Sequence, residues 1–374
     1  MKRNHYIGVL LLCFLLCFGS VHQETNAAEP VIQASGALVM DMTTGQVLWQ
    51  QSGYELLEPA STTKILTALL ALDVGNLEQT YTVTPAAAAV GESSANLQVG
   101  ETFTLENLLT GALVKSANDA CFAIGEAIAG NEPLFVYWMN LKGAVIGAYD
   151  VSAKNTNGLP NEEHKLSCYD LALTARLAMQ HDTFATLVSS SLATMEGGNY
   201  NRTFKNTNKL LQMNPDVIGI KTGTTDRAGA CLVSAMERDG RTVIAAVLHS
   251  PDRYGESIAL LNYGIDSFQT IHYAQPGEVM GYYPDEQSKE GGVMALAENQ
   301  GVAAVPKEKA ASLHLVYHWQ EQKEEEIKPV QAGDVVGTAE LVDAEGTVYG
   351  RMNLLAAEDL TYSKWQLFWQ KIWG

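Results

Sequence analysis

Residues 58–72 read EPASTTKILTALLAL, and the lysine in this stretch constrains the whole fold. After Lys64 the run ILTALLAL has a single polar side chain, Thr67, so a helix built from it has no polar face. A helix that is apolar all round belongs in the centre of a domain. Pro59 stops regularity upstream, and the helix is expected over residues 61–72. Lys64 sits at its mouth and Ser61 one turn earlier, so the two share a face. An ammonium held there loses hydration, which lowers its pKa. A partly neutral amine can take the proton of a neighbouring hydroxyl. The first turn of a helix also has backbone N–H groups without intrahelical partners, and these can hold a negative oxygen. A nucleophile, a base and half an oxyanion hole thus fit into one turn. A capping serine followed by an ordinary surface lysine gives the same spacing, so this pair alone does not decide.

At 374 residues the chain is long for one domain and suits two. An apolar fraction of 47% supports a sizeable core rather than disorder. A formal charge of −18 argues against nucleic acid as a partner, which needs a basic face. The sequence has no Walker or GxGxxG loop, no HExxH and no CxxC. No metal and no organic cofactor are expected.

The chain opens MKRNHYIGVLLLCFLLCFGSVHQETNAAEP. Lys2 and Arg3 precede an apolar run, Ile7–Phe18, and a small-residue exit at Thr25-Asn26-Ala27. Residues 1–28 therefore read as an export signal cut near Ala27 or Ala28. The run is short of the roughly 18–20 residues of a spanning helix. Cys17 is a poor lipid-attachment site, because Leu16 stands where a small residue is expected. Cleavage removes Lys2, Arg3 and Glu24 and takes the charge from −18 to −19. It leaves Cys121, Cys168 and Cys231, an odd set among apolar neighbours, expected as small core residues.

ALVMDMTTGQVLWQ reads as strand, turn, strand. LENLLTGALVKSANDACFAIGEAIAG is helical on both sides of a break near Ser116. SCYDLALTARLAMQ is a helix capped by Ser167 with Asp170 three residues on. VIGIKTGTT is a short strand, and Asp239-Gly240 marks a hairpin in ACLVSAMERDGRTVIAAVLH. SIALLNYGIDSF closes the region with a helix. Strands at both ends and helices between them predict an α+β fold, an antiparallel sheet covered by helices with its first and last strands side by side. This region spans 29–270. Residues 271–355 read as a small β-rich domain, with the charge run QEQKEEEIK as a solvated strand end or turn.

Two further motifs accompany the first pair. SAND at 116–119 puts Ser116 and Asn118 at the helix break, and KTGT at 221–224 opens a strand. The Ser-x-Asn begins 55 residues after Ser61, and the Lys-Thr-Gly 105 residues after that. This ordered set marks penicillin-binding proteins and class A β-lactamases.

On these residues the chain resembles the low-molecular-mass penicillin-binding proteins, the D-alanyl-D-alanine carboxypeptidases of serine peptidase family S11. NTNGLPNEEHKLSCYDLA, VIGIKTGTTDRAGACLVSA and KPVQAGDVVGTAEL extend the resemblance over nearly all of the exported chain. It implies a β-lactamase/transpeptidase-like catalytic domain, then a β-rich domain and a C-terminal amphipathic helix. It implies removal of the terminal D-alanine from peptidoglycan stem peptides through an acyl-enzyme on Ser61, which β-lactams would also acylate. Lys64 would activate Ser61. Ser116 would relay a proton between a lysine and the leaving amine. Asn118 would bind the substrate backbone or hold Lys64. Lys221 and Thr222 would meet the peptide's terminal carboxylate. Gly223 would let the peptide lie along the strand. The N–H of Thr224 would complete the oxyanion hole. Such a protein works at the outer face of the cytoplasmic membrane, in the cell wall.

Asn155, Gly158, Leu159 and His164 match the family's N-x-x-G-L segment, with His164 expected to order a loop. Asp119 is expected to cap the helix after Asn118, Arg253 to be a surface residue in preference to one that approaches the substrate carboxylate, and Ala117 to be tolerated between the two working side chains. Endopeptidase or transpeptidase action on cross-linked peptides is the nearest rival. A β-lactamase would need a glutamate to activate water, and Glu162 or Glu163 lies in the matching region. A catalytically silent wall-binding protein is disfavoured by three intact motifs.

In the last stretch, DLTYSKWQLFWQKIWG, Trp365, Phe368, Trp369, Ile372 and Trp373 recur on one helical face. Residues 356–374 are expected to form an amphipathic helix lying on the membrane surface.

Overall fold

The computed structural model describes residues 28–321 and 329–363. The segment expected to be an export signal, up to Ala27, most of the charge run and the aromatic tail after Ser363 lie outside the described residues.

The chain begins with the hairpin β1 (Gly36–Asp41) and β2 (Val47–Gln51), then a 3₁₀ turn, Ala60–Thr63, that runs into α1 (Lys64–Val74). A small hairpin, β3 (Thr80–Thr82) with β4 (Thr102–Thr104), encloses α2 (Pro85–Ala88). The helical middle continues with α3 (Leu105–Thr110), α4 (Asn118–Ala129), α5 (Glu132–Ile146), α6 (Cys168–Ala178) and α7 (Asp182–Ser189). A second hairpin, β5 (Leu192–Met195) with β6 (Arg202–Lys205), and α8 (Leu210–Met213) lead into three long strands. These are β7 (Val217–Thr225), β8 (Gly229–Arg238) and β9 (Arg241–Ser250), and α9 (Arg253–Ser267) follows them.

The antiparallel sheet has the order β2-β1-β9-β8-β7. The first strand lies beside β9, as the α+β reading requires, and β7 is left at an edge. Asp239 and Gly240 have φ of 54° and 74°, the two successive left-handed residues of a type I′ hairpin turn. One face of the sheet, with Leu38, Met40, Val233 and Ile244, packs against the helical middle. The other, with Val39, Leu232 and Val243, packs against Leu260, Leu261 and Ile265 of α9. Every residue of β1 is therefore buried. In α1, Lys64 through Ala71 are all buried, which the absence of a polar face demanded. Each such leucine or isoleucine contributes about 1.5–3 kcal/mol. After α3 the helix widens over Gly111–Lys115 and stops at Ser116, whose φ of 66° is left-handed.

The KTGT motif closes β7 rather than opening a strand. The smaller region begins at β10 (Phe268–Ala274), which continues from α9 without a break, so a boundary at 271 falls inside a strand. It contains β11 (Val279–Pro284), β12 (Gly292–Ala297), β13 (Gly301–Pro306), β14 (His314–Trp319), β15 (Val335–Val342) and β16 (Val348–Ala356). Its main sheet has the order β11-β12-β16-β15-β14, and β10 pairs with β13. Residues 357–363 form no helix. Leu360 and Tyr362 are buried in this region's core instead, so the helix expected from 356 does not begin there. Gln46, in the first turn, joins the two regions: its side chain donates to Tyr349 O (3.0 Å) and accepts from Ala304 N (2.7 Å). No helix among the described residues is long and apolar enough to cross a membrane.

Candidate active site

Ser61 lies in the 3₁₀ turn directly after Ala60, which is held at a left-handed φ of 48°. Such a conformation costs a non-glycine residue about 1–2 kcal/mol, so its surroundings must impose it. Thr63 Oγ1 donates to Ala60 O (2.9 Å) and is bonded to His164 Nε2 (2.9 Å). Lys154 N–H donates to His164 Nδ1 (3.2 Å). The ring proton therefore sits on Nε2 and is donated to Thr63. Burial pushes His164 down to about 4, so the imidazole is neutral. Its loop-ordering role is as expected, and the loop it orders carries the nucleophile. Gly158, with φ of 83°, packs so close that a Cβ would stand 1.8 Å from Ala60 O. Asn155 Oδ1 accepts from the N–H of Gly158 (2.7 Å), fixing this segment beneath the turn.

Lys64 is fully buried, and its Nζ donates to Ser61 Oγ (2.8 Å), Asn118 Oδ1 (2.8 Å) and Asn157 O (2.6 Å). Three acceptors match the three hydrogens of an ammonium. The amide and carbonyl oxygens can only accept, whereas the Ser61 hydroxyl can also donate. Loss of one proton therefore leaves a lone pair facing Ser61. Burial lowers Lys64 to about 8. Lys221 is also buried, and its pKa falls well below the ordinary lysine value, first through burial and then through the charge on Lys64. Asn118 thus holds Lys64 through Oδ1, while Nδ2 donates one of its two hydrogens to Gly91 O (3.0 Å). The Ser116 hydroxyl, at the helix break, has no hydrogen-bond partner among the described residues.

Asp119 is not at the cap position of α4, which is Ala117 with no side-chain bond, but its Oδ1 does accept from Ala120 N (2.9 Å) in the first turn, as a capping role requires. Its carboxylate accepts from Ser94 Oγ (2.6 Å), Ala95 N (3.0 Å) and Leu97 N (3.1 Å), tying loop 94–97 beside Asn118. Arg253 is not a free surface residue either. It donates to Gly223 O (2.8 Å) and Thr224 Oγ1 (2.7 Å), which places a guanidinium on the KTGT strand. No local signal marks this contact, because it forms only when α9 folds back across the sheet. A Cβ on Gly223 would meet Ser61 N at 2.9 Å, so glycine is needed here for the approach of β7 to the nucleophile turn.

Glu162 and Glu163 are 85% and 76% exposed, pairing with Arg227 (3.4 Å) and Lys154 (2.9 Å) rather than Ser61. Cys121, Cys168 and Cys231 are buried free thiols, with burial raising all three.

This constellation has known counterparts. A family model described as D-alanyl-D-alanine carboxypeptidase matches residues 23–252. The chain belongs to the D-alanyl-D-alanine carboxypeptidase family. A second model, the C-terminal domain of penicillin-binding protein 5, matches residues 268–362, which begin at β10. Among family members, carboxypeptidase DacF of Bacillus subtilis is 28% identical over 98% of this chain and 96% of its own. DacD of Salmonella typhimurium is 30% identical, covering 92% of each. Penicillin-binding protein 5 of Haemophilus influenzae superposes with a TM-score of 0.80 at 25% identity, over 89% of this chain and 99% of its own. The DD-transpeptidase of Streptomyces K15 superposes with a TM-score of 0.60 at 31% identity, over 63% of this chain and 99% of its own. The penicillin-binding protein 5 likeness thus takes in both regions of this family member.

Proposed function

We propose that this carboxypeptidase-family protein is a serine-type D-Ala-D-Ala carboxypeptidase acting on peptidoglycan stem peptides outside the cytoplasmic membrane. The observation that carries the reading is the 2.8 Å contact between a buried Lys64 Nζ and Ser61 Oγ, with Lys64 lowered to about 8. Neutral Lys64 takes the Ser61 proton as Oγ attacks the carbonyl carbon of the penultimate D-alanine. The developing oxyanion is held by the N–H groups of Ser61 and Thr224. The C–N bond then breaks, and the proton passes from Lys64 through the Ser116 hydroxyl to the departing amine of the terminal D-alanine. Water, deprotonated by the same lysine, hydrolyses the ester and regenerates Ser61. Lys221, Thr222 and Arg253 supply the positive and donor groups that a terminal carboxylate requires. The free edge of β7 offers an extended peptide a strand to pair with.

The substrate end that fits this site is also the end a β-lactam mimics. Fluorescent penicillin is expected to label the unaltered protein covalently and to leave folded Ser61→Ala unlabelled. Retained labelling in that variant would sink the assignment. Release of free D-alanine from purified muropeptides, without loss of cross-links, separates carboxypeptidase from endopeptidase action.

A further inference from the structure

We infer that Thr207 is a positioning residue for the carboxylate recognised by this site, acting through the Thr222 hydroxyl, an inference that rests on the carboxypeptidase reading above. The Thr207 and Thr222 Oγ1 atoms lie 2.7 Å apart. Thr222 is buried on the edge strand, and Thr207 belongs to the segment after β6, outside the sheet. Neither hydroxyl has a second partner among the described residues.

Either hydroxyl can donate in this bond, and the carboxylate reading selects between the two directions. Each hydroxyl has one hydrogen and can also accept. If Thr222 donated to Thr207, it would have nothing to give an incoming carboxylate. If Thr207 donates, its own hydrogen is satisfied and that of Thr222 faces the site. A hydroxyl that accepts a hydrogen bond is polarised into a better donor. Thr207 therefore both orients the Thr222 O–H and strengthens it.

The local structure holds Thr207 for this task. Asn206 Nδ2 donates to Ser190 O (3.0 Å), and Asn206 Oδ1 accepts from Asn208 N (2.9 Å). Asn208 Oδ1 in turn accepts from Leu210 N (3.1 Å). Two buried asparagines thus pin the backbone on either side of one threonine. Thr222 and Thr224 are two apart on β7 and share a face. Each has a partner from beyond the sheet: Thr207 for the first, Arg253 for the second (2.7 Å). Thr224 gives its own hydrogen to Gly223 O (2.7 Å), so a carboxylate placed here meets the prepared Thr222 hydroxyl and the Arg253 guanidinium.

The test compares a carboxylate with its neutral ester on the full-length protein in detergent. Acylation rates are measured with benzylpenicillin and with its methyl ester, alongside kcat and KM for a peptide ending in D-Ala-D-Ala. Thr207→Val, which keeps the shape and loses the hydroxyl, is expected to slow acylation by the free acid about tenfold and the ester less than about twofold. Its effect on the peptide falls on KM more than on kcat. Thr207→Ser is expected to restore both. An equal loss with acid and ester, or failure of serine to rescue a folded protein, overturns the inference and makes Thr207 part of the scaffold. No acylation of the unaltered protein by either compound overturns the carboxypeptidase reading, and this inference with it.

Discussion

Gly223 and Ser61 approach so closely that a Cβ on the glycine would stand 2.9 Å from the serine's backbone nitrogen and 3.0 Å from Pro59 O. Both obstacles are backbone atoms, which cannot swing aside. The nitrogen is one of the two groups proposed to hold the oxyanion. Gly223→Ala must therefore push β7 away from the nucleophile turn and widen the gap between the Ser61 and Thr224 N–H groups. Loss of one oxyanion donor costs about 10²–10³ in rate, and overpacking costs about 1–3 kcal/mol of stability. Time-resolved penicillin labelling and a thermal melt check the two effects. Acylation at the unaltered rate would show that the strand and the turn are not in the stated register.

The pH dependence of acylation follows from Lys64. The base works only when deprotonated, and burial places its pKa at about 8 against an ordinary 10.5. The acylation rate is thus expected to climb through pH 7–9 and level off above, in the range where the protein stays folded. Lys221 is also lowered, so the limb belongs to the coupled pair rather than to Lys64 alone. A limb near the ordinary lysine value, or a flat rate from pH 6 to 10, would count against Lys64 as the base.

His164 gives a prediction about stability. Its pKa is about 4 when folded and 6.5 when free, so between these values the unfolded chain binds a proton that the folded chain does not. Unfolding then gains from acid, and stability falls as pH drops from 6.5 towards 4, by about 3 kcal/mol across the window. Protonation would also remove the Nδ1 acceptor used by Lys154 N–H. Replacing His164 by glutamine lowers stability at pH 7 but removes this slope. Urea unfolding of both proteins at pH 7 and pH 4.5 measures it, and equal slopes would refute the assigned neutral tautomer.

Much of this was legible where one residue's chemistry dictates its own neighbourhood. ILTALLAL has no polar face and is buried throughout. Asp239-Gly240 takes the φ values that its turn requires. Ser167 and Asp170 form the expected capping box on α6. The failures share a cause: the partners lie far off in sequence. Asp119 looked like a cap because an acid in the first turn of a helix usually serves that turn. It does accept from Ala120 N in that turn, but three more of its partners are backbone and hydroxyl groups of loop 94–97. Arg253 resembled any arginine near a helix start, and Thr207 lay in a loop without pattern. Gly223 was expected to make room for substrate, but the chain's own nucleophile turn already requires it.

The last prediction concerns the aromatic tail, whose residues lie outside those described. As a helix, Trp365, Phe368, Trp369, Ile372 and Trp373 would keep one face over nine residues, about 14 Å, well short of a hydrocarbon layer about 30 Å thick. Such a helix lies on a membrane rather than crossing it. Indole rings suit that interface, because the ring is buried while the N–H stays near water. Only Lys364 and Lys371 add positive charge there, and the chain as a whole is strongly acidic, so attraction to anionic lipid contributes little. Binding should then depend on the tryptophans and survive high salt better than a polybasic anchor would. The structure fixes where to cut. Leu360 and Tyr362 belong to the small region's core, so truncation before them would damage the fold and confuse the result. Ending the chain after Ser363 spares that core. Co-sedimentation with neutral and anionic liposomes, at low and high salt, is expected to show binding by the chain from residue 29 to its end and none by the truncated one, with equal melting temperatures. Unchanged liposome binding with a lowered melting temperature would mean that the tail packs on the protein itself, and the anchor proposal would be wrong.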